Sequence, residues 1–188
     1  MANLDAPNGF TPIRHLTGGT IRMEEIGIVS GEAAAIYSGD LVMQIAGGTI
    51  KVGTATAGLA AIGVFGGCKF TKTTGEIVYS KIWPAGQTTL ASADAVAYVY
   101  TDPNIVFSVQ TAGTALFADN GALLDLTATA GNATTGRSAQ ELNQAASSED
   151  QFRQIGLVNK PGNAWGANAD VEVIIHEHVR NPAAGVAI

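Results

Sequence analysis

Short apolar runs separated by turn residues dominate the hydrophobic pattern of the chain. The runs "LVMQI" (41–45), "TIKVG" (49–53) and "FRQIGLV" (152–158) have the length of strands, and Gly, Ser, Asp, Asn or Pro lies next to each of them. Turn signals recur roughly every 8–12 residues, which is typical of all-β folds. The pattern therefore predicts an all-β protein with minor α content, built as a small antiparallel β-barrel or sandwich.

The segment "AVAYVYTDPNIVFSVQ" (95–110) predicts a β-hairpin. Two β-rich runs flank "TDPN" (101–104), where proline presets one backbone angle and Asp and Asn favour a turn. The second run alternates between apolar and polar positions, which places Ile105, Phe107 and Val109 on one face.

A short helix is predicted in "NQAASSEDQFRQ" (143–154). Ser147 or Ser148 would be its N-cap, because a serine hydroxyl accepts a hydrogen bond from a free backbone N–H of the first turn. The acidic residues that follow would lie in that turn, where the helix dipole favours negative charge.

Residues 1–19 predict an extended N-terminal arm. Several Pro and Gly residues break any regular period in this stretch. A disordered tail carries few large apolar groups, and we therefore expect the arm to dock on its own barrel or on a neighbouring molecule. Residues 20–188 are predicted to form a single β-rich domain. The arm carries four large apolar side chains: Leu4, Phe10, Ile13 and Leu16.

Glycine follows isoleucine in three apolar runs, "IGIV" (26–29), "IGVF" (62–65) and "IGLV" (155–158). No fixed period links them, so they do not indicate a repeat protein. A glycine inside an apolar strand marks a bend or a close approach of backbone. The three glycines therefore favour a small, tightly curved barrel.

The charge pattern narrows the classes of partner. Charged residues make up 14% of the chain, against about a quarter in typical domains, and the net charge is −6. The ten Lys and Arg residues are spread without a basic cluster. This argues against nucleic-acid binding and against an anionic membrane surface, since both need concentrated positive charge. Few charges also suit a protein whose surface is partly covered by partners.

Neither the cysteine usage nor the first residues indicate export. The one cysteine, Cys68, cannot form an internal disulfide, and its place in "AIGVFGGCKF" (61–70) predicts a buried, inert thiol. The stretch "MANLDAPNGFTPIRH" (1–15) lacks the apolar region of a signal peptide. No apolar run approaches the ~20 residues of a membrane span. We expect synthesis in a cytosol and no membrane partner.

The segment "ADVEVIIHEHV" (169–179) holds the most suggestive chemistry. In a continuous strand His176 and His178 share one face, while Glu177 points to the other. Three interpretations follow: an H-x-H metal pair completed by His15 or a carboxylate, a polar outer face, or a subunit interface. We favour the two interpretations without a metal, because a metal site needs three or four ligands and this strand offers only the two histidines on one face.

Motifs of catalysis are missing. There is no G-x-S-x-G sequence, Cys68 has no histidine nearby in sequence, and no glycine pair is followed by Lys-Ser or Lys-Thr. The sequence therefore predicts no enzyme, no catalytic residue and no cofactor.

Five stretches of the chain stand out together: "APNGFTPIRHLTGGTIR", "YSGDLVMQIAGGTIKV", "IGVFGGCKF", "IWPA" and "IGLVNKPGNAWGANADVEVIIHEH". Among them, a Gly-Asp turn opens a strand, and an Ile-Gly-Val strand follows. Together they resemble the head-decoration (cement) proteins of tailed bacteriophages, whose small module has the same order of turn and strands. The resemblance covers most of the chain through short, glycine-driven motifs.

The resemblance implies a viral structural protein that is made in the host cytoplasm and lies on the outer surface of a capsid. Its expected partners are the major capsid protein and its own copies, as a homotrimer. The alternatives are another virion component, such as a tail or minor shell protein, or a metal-binding protein that uses the two C-terminal histidines. For a decoration protein the residues predicted to contact the capsid are Phe10, Ile13, Arg14 and His15. The residues predicted at a subunit interface are His176 and His178.

Overall fold

The computed structural model describes residues 3–55, 61–91, 95–145 and 150–181. Within these ranges the regular structure consists of sixteen strands and one 3₁₀ turn at Phe117–Asp119. The predicted all-β class is thereby confirmed. The strands are β1 (Thr11–His15), β2 (Glu24–Gly27), β3 (Ile36–Tyr37), β4 (Leu41–Gln44), β5 (Ile50–Val52), β6 (Ala61–Thr71), β7 (Ile77–Ser80), β8 (Ile82–Trp83), β9 (Ala95–Tyr100), β10 (Ile105–Ala112), β11 (Thr114–Ala115), β12 (Leu123–Thr127), β13 (Glu141–Asn143), β14 (Phe152–Leu157), β15 (Gly166–Ala167) and β16 (Asp170–Ile175).

Five of these strands close into a barrel. The order is β10, β13, β12, β14 and β16, and β16 pairs back onto β10. The β10–β13 pair is parallel and the other four pairs are antiparallel. Closure removes the free edges that a sheet otherwise exposes to pairing with other chains. The predicted β-barrel is therefore confirmed.

A second sheet lies beside the barrel in the order β2, β9, β6, β4 and β5, and β7 pairs with the end of β6. An isolated β-bridge between Ile28 and Ile50 joins the chain just after β2 to β5. The two ends of this sheet therefore meet at one point, and the sheet is curved like an incompletely closed barrel. We call it the curled sheet. Two small pairs, β3–β8 and β11–β15, complete the pairing.

Strands β4 and β6 form a wall that the barrel and the curled sheet share. Leu41 and Val64 belong to the core of the barrel, whereas their neighbours Val42 and Phe65 belong to the core of the curled sheet. Alternate residues of a strand point to opposite faces, so both faces of this wall are buried. This explains why the two segments read as continuous apolar runs rather than as alternating ones. Each large side chain buried there contributes about 1.5–3 kcal/mol.

Gly63 lets β6 run close to β9. A Cβ atom at this position would collide with the Tyr100 carbonyl oxygen and would lie 3.0 Å from a methyl carbon of Val99. At Gly156 the pairing of β14 with β16 shifts register, which marks a bulge. Two of the three Ile-Gly glycines thus mark the predicted close approach and bend.

The predicted hairpin over residues 95–110 is wrong. Strand β9 pairs with β2 and β6, whereas β10 pairs with β1, β13 and β16. The turn at residues 101–104 carries the chain from the curled sheet to the barrel. The predicted alternation within β10 is confirmed, because Ile105, Phe107 and Val109 all lie in the barrel core.

The structure gives no support to the helix predicted over residues 143–154. Ser147 and Ser148 lie outside the described residues. On either side of them, β13 ends at Asn143 and β14 begins at Phe152, with irregular backbone between in the described positions. Among the described residues, no helix has the length and apolar character needed to cross a membrane.

Gly63 and Gly27, which both follow an isoleucine, test the close approach of β6 to β9. We expect Gly63→Ala to lower the free energy of unfolding by at least about 2 kcal/mol, because the new methyl group meets backbone rather than a movable side chain. Gly27→Ala is the matched control, since a Cβ there meets only a Thr49 methyl group at 3.5 Å. Urea unfolding of both variants measures the difference, and equal stability of the two would contradict the packing described here.

Candidate functional site

Phe10, predicted as a capsid contact, is an internal anchor. Its side chain is 1% exposed and stacks on Phe152, with ring centroids 4.6 Å apart. Its backbone N–H donates to the Gly39 carbonyl at 2.8 Å. The arm therefore docks on its own barrel, and the surface offers no Phe10 side chain to a partner.

Ile13 and Arg14 lie on β1, which pairs with β10 along the outside of the barrel. The register shifts between Pro12 and Arg14, so Ile13 sits at a bulge with 39% of its surface exposed. A bulge leaves one residue without a cross-strand partner. Arg14 donates to one carboxylate oxygen of Glu172 through Nη2 at 2.6 Å and Nε at 3.2 Å. Ile13 is thus available to a partner, whereas Arg14 already holds β1 to β16.

His15 fastens the end of β1 to the turn after β9. Its Nδ1 accepts the backbone N–H groups of Thr17 and Gly19 at 3.2 and 3.1 Å. Nδ1 is therefore unprotonated, and Nε2 donates to Asp102 Oδ2 at 3.1 Å. The backbone N–H of Asn104, followed by His15, holds the pKa of Asp102 below its usual range despite some burial. The imidazole is committed to this internal contact and is only 7% exposed.

His178 does not lie on the polar outer face predicted for it. Strand β16 ends at Ile175 and the chain bends there, so strand alternation no longer applies. His178 forms a bridge to Ala61 and is 1% exposed. Its Nδ1 accepts the backbone N–H of Arg180 at 3.0 Å. Burial, with the positive charge of Arg180 next in importance, lowers the pKa of His178 to about 4.

Arg180 joins the end of the described chain to the curled sheet. Its guanidinium donates to both carboxylate oxygens of Glu24, at 2.9 and 2.5 Å, and to the Thr101 hydroxyl at 3.1 Å. This pairing lowers the pKa of Glu24 and raises the pKa of Arg180. Together with His15 and Asp102 these residues form what we call the junction cluster, where the barrel meets the curled sheet.

The histidines do not assemble into a metal site. In the described part of the chain, no group of three or more His, Cys, Asp or Glu side chains is placed to hold a metal ion. His176 is half-buried, and its backbone N–H donates to the Gln151 carbonyl at 2.8 Å. His15 is engaged with Asp102 and His178 is buried beside Ala61. The metal-binding alternative therefore lacks a ligand set among these residues.

Cys68 and Asp40 are buried titratable groups. Cys68 is 1% exposed in the core of the curled sheet, and burial raises the pKa of its thiol to about 12, as expected of an unreactive thiol. Asp40 ends the Ser-Gly-Asp turn, where its Oδ2 accepts the Tyr37 N–H at 2.7 Å. Burial raises the pKa of Asp40 to about 6, against the opposing effects of the Ser138 hydroxyl and the Tyr37 N–H.

The exposed apolar side chains of Leu116 and Phe117 are a feature that the sequence patterns did not single out. Phe117 is 73% exposed on the 3₁₀ turn and meets the ring of Trp165 edge-on at 6.0 Å. The Asn3 side-chain amide donates hydrogen bonds to the carbonyls of Ala164 and Ala167. These bonds bring Leu4, which is 80% exposed, to the loop that carries Trp165. We call the exposed Leu4, Leu116 and Phe117, together with the half-buried Trp165, the loop patch.

The turn that presents Phe117 is held rigidly. The Leu116 N–H donates to the Asp119 carboxylate at 2.6 Å, and the Asp119 N–H donates back to the Leu116 carbonyl at 3.0 Å. A rigid presentation lowers the conformational entropy that an interface loses on binding. The loop patch thus has the chemistry of a protein-contact surface rather than that of a reaction site.

Comparisons with known proteins identify no relative. No family model, curated protein or solved structure matches the chain.

Substitutions of Phe10 and Ile13 distinguish an arm residue that packs in the core from one that lies on the surface. We expect Phe10→Ala to lower the free energy of unfolding by about 3–5 kcal/mol, because it empties a filled core position. Ile13→Ala, at an exposed bulge, should change it by less than about 1 kcal/mol. Chemical denaturation measures both, and a Phe10→Ala protein as stable as the parent would show that the arm does not anchor in the core.

His178 predicts a pH dependence of stability. Between pH 6.5 and about 4 the unfolded chain binds a proton at His178 that the folded chain does not bind, so the free energy of unfolding falls as pH falls. The full effect is at most about 3 kcal/mol. Asp40 acts in the opposite sense, because its folded pKa is raised. The measurement therefore uses an Asp40→Asn background, with and without His178→Asn.

In that background, His178→Asn should flatten the dependence of unfolding free energy on pH between 6.5 and 4. Asparagine retains an acceptor for the Arg180 N–H but does not titrate. Parallel curves for the two proteins would mean that His178 does not carry the predicted proton linkage.

Proposed function

We propose that the chain is a virion structural protein that binds the outside of a tailed-phage capsid as a decoration, or cement, protein. The observation that carries this proposal is the loop patch, in which Phe117 on its rigid turn contacts Trp165 of a neighbouring loop, and the arm that carries Leu4 is hydrogen-bonded to that same loop. Exposed apolar patches of this kind are typical of protein–protein contact. The resemblance of the Ser-Gly-Asp turn, its following strand and the Ile-Gly-Val strand to decoration modules supports the same proposal.

The distribution of charge favours an assembly role. The junction cluster uses its polar groups internally, through the Arg180–Glu24 ion pair and the His15–Asp102 hydrogen bond. Arg14 is likewise paired with Glu172. These groups are used to hold the chain together, which leaves apolar side chains such as Phe117 and Ile13 for contact with the major capsid protein. The proposal includes no catalytic residue and no cofactor.

A decoration protein stabilises a shell through many copies. Each contact is modest, and the effective concentration of neighbouring sites makes the assembled layer strong. We propose a homotrimer as the unit that binds, with His176 as a candidate residue at its subunit interface. His178 is no longer a candidate, because it is buried within its own chain.

The test is addition of the purified protein to phage heads that lack it, followed by cosedimentation and heating. We expect bound protein to raise the temperature at which the shells break. Phe117→Ser should weaken binding at least about tenfold, as for a central apolar contact. Leu90→Ser is the matched control, since Leu90 is 61% exposed but does not belong to the loop patch.

Shells that neither bind the protein nor gain heat resistance would refute the decoration role, and sedimentation with tails would favour the tail alternative. Deletion of residues 1–19 is unsuitable as the test, because it removes both Phe10 and β1 from the barrel.

A further inference from the structure

The edge of the curled sheet at β7 is open. Strand β7 pairs with β6, and no other strand of the described chain pairs with it. Two of its four residues are largely exposed, Ile77 at 58% and Tyr79 at 69%. From Lys81 onward the chain runs beside β3 instead, where the Ser38 N–H donates to the Lys81 carbonyl at 2.9 Å. The open edge therefore consists of β7 itself.

The backbone groups of Ile77 and Tyr79 point away from β6. The turn before β7 closes with a hydrogen bond from the Lys72 N–H to the Glu76 carbonyl at 2.8 Å, in the same register as the β6–β7 pairs. Along an antiparallel strand, successive residues bond alternately to one neighbour and to the other. Val78 therefore faces β6 as Glu76 does, and the N–H and C=O groups of Ile77 and Tyr79 face outward, where an added strand can bond them.

The other edge strands of the two large sheets carry features that oppose pairing. Strand β1 contains Pro12 and a bulge, β2 contains two glutamates, and β5 contains Lys51. Proline, charges and bulges are the means by which natural proteins keep sheet edges from pairing with other chains. None of these lies within β7, and its pairing with β6 has no bulge. The absence of such protection indicates an edge that another strand covers.

An antiparallel copy of β7 fits this edge. When Val78 lies opposite Val78 of the other copy, Ile77 lies opposite Tyr79 of the other copy, and this second pair occurs twice. Both of its members have outward backbone groups, so each pair can exchange two hydrogen bonds. Both side chains also lie on the same face of the joined sheet, and an aromatic residue opposite a β-branched one is a favourable cross-strand pair.

The charges that flank β7 also favour an antiparallel copy. Glu76 precedes the strand and Lys81 follows it. Antiparallel pairing places Glu76 of each copy one residue from Lys81 of the other, whereas parallel pairing would bring like charges together. Glu76 is bonded to Lys72 of its own chain at 2.8 Å but keeps 62% of its side chain exposed to such a neighbour. Complementary charge of this kind fixes the register and orientation of a contact.

We propose that β7 binds β7 of a second copy of the chain, so that the curled sheets of the two copies form one continuous sheet. This contact is two-fold and closes on itself, so it differs from the contacts of the proposed homotrimer and would join neighbouring oligomers. The inference goes beyond capsid decoration and does not depend on it, because its test contains no capsid. A contact through one short strand is small, and we expect a dissociation constant between about 10 μM and 1 mM.

Oxidative cross-linking of Val78→Cys in the full chain tests the pairing, with a non-reducing gel as the readout. The proposed register puts the two Cα atoms of residue 78 about 4.5 Å apart, within the range of a disulfide, so a dimer band should form. Tyr79→Cys is the matched control, since its two copies lie about 7 Å further apart along the strands, beyond that range. The parent chain controls for Cys68, which is buried.

Sedimentation equilibrium tests the same contact without a new thiol. Tyr79→Pro removes an outward N–H and the ring at a position where an edge strand tolerates proline. Ile77→Lys keeps the backbone and adds a charge to the edge. Each should weaken self-association of the parent at least about tenfold, whereas Phe117→Ser, in the loop patch, should leave it unchanged.

A parent chain that stays unassociated at about 1 mM, with no dimer band from Val78→Cys, would overturn the proposal in favour of a strand from a different protein. Equal cross-linking by Tyr79→Cys would indicate random collision rather than pairing. Self-association that Tyr79→Pro and Ile77→Lys leave unchanged would place the contact elsewhere. Shells that fail to bind a chain that still forms the β7 dimer would refute the decoration role alone.

Discussion

The burial of both faces of β4 and β6 is the constraint on which the rest of the structure depends. Each of these strands gives alternate side chains to the barrel core and to the core of the curled sheet. Neither core is complete without this wall, since Leu41 and Val64 serve one and Val42 and Phe65 serve the other. Removing apolar area from water is the main stabilising term in folding, and here one pair of strands supplies it on both sides.

Polar contacts then fix how the barrel and the curled sheet are oriented on the two sides of the shared wall. The Arg180–Glu24 pair connects the chain after β16 to β2, and the His15–Asp102 contact connects β1 to the turn after β9. An exposed ion pair such as Arg180–Glu24 contributes little to stability by itself. Their place at the boundary between the barrel and the curled sheet gives them a role in geometry rather than in stability. His15, which the sequence offered as a possible third metal ligand, therefore serves structure.

Strand identity was predictable from sequence because it depends on local alternation and turn residues. The inward positions of β10 and β16 follow directly from that alternation. Strand partners were not predictable, because pairing depends on distant segments: β9 and β10 are adjacent in sequence but lie in different sheets. The chain crosses between sheets after β9 instead of forming a β-hairpin, because β9 pairs with β6 of the shared wall while β10 pairs within the barrel. No local sequence pattern reveals this pairing.

Each candidate residue was placed correctly or wrongly for its own physical reason. Phe10 is indistinguishable from an exposed arm residue in sequence, because its partner Phe152 is far along the chain. His178 departs from the predicted face because β16 stops at Ile175. Tyr79 on β7 is 69% exposed. A weak sequence signal for this exposure is present in "IVYS" (77–80), where apolar residues occupy both faces of one strand. Only one of those faces can be buried at a sheet edge.

The shared wall implies that the barrel and the curled sheet unfold as one cooperative unit. Native-state hydrogen exchange tests this directly, by comparing amides of β10 and β16 in the barrel with amides of β9 in the curled sheet. The account predicts that the slowest amides of both sheets report the same opening free energy, within about 1 kcal/mol. Exchange in β9 through an opening several kcal/mol cheaper than that of β10 would show two independent cores and contradict it.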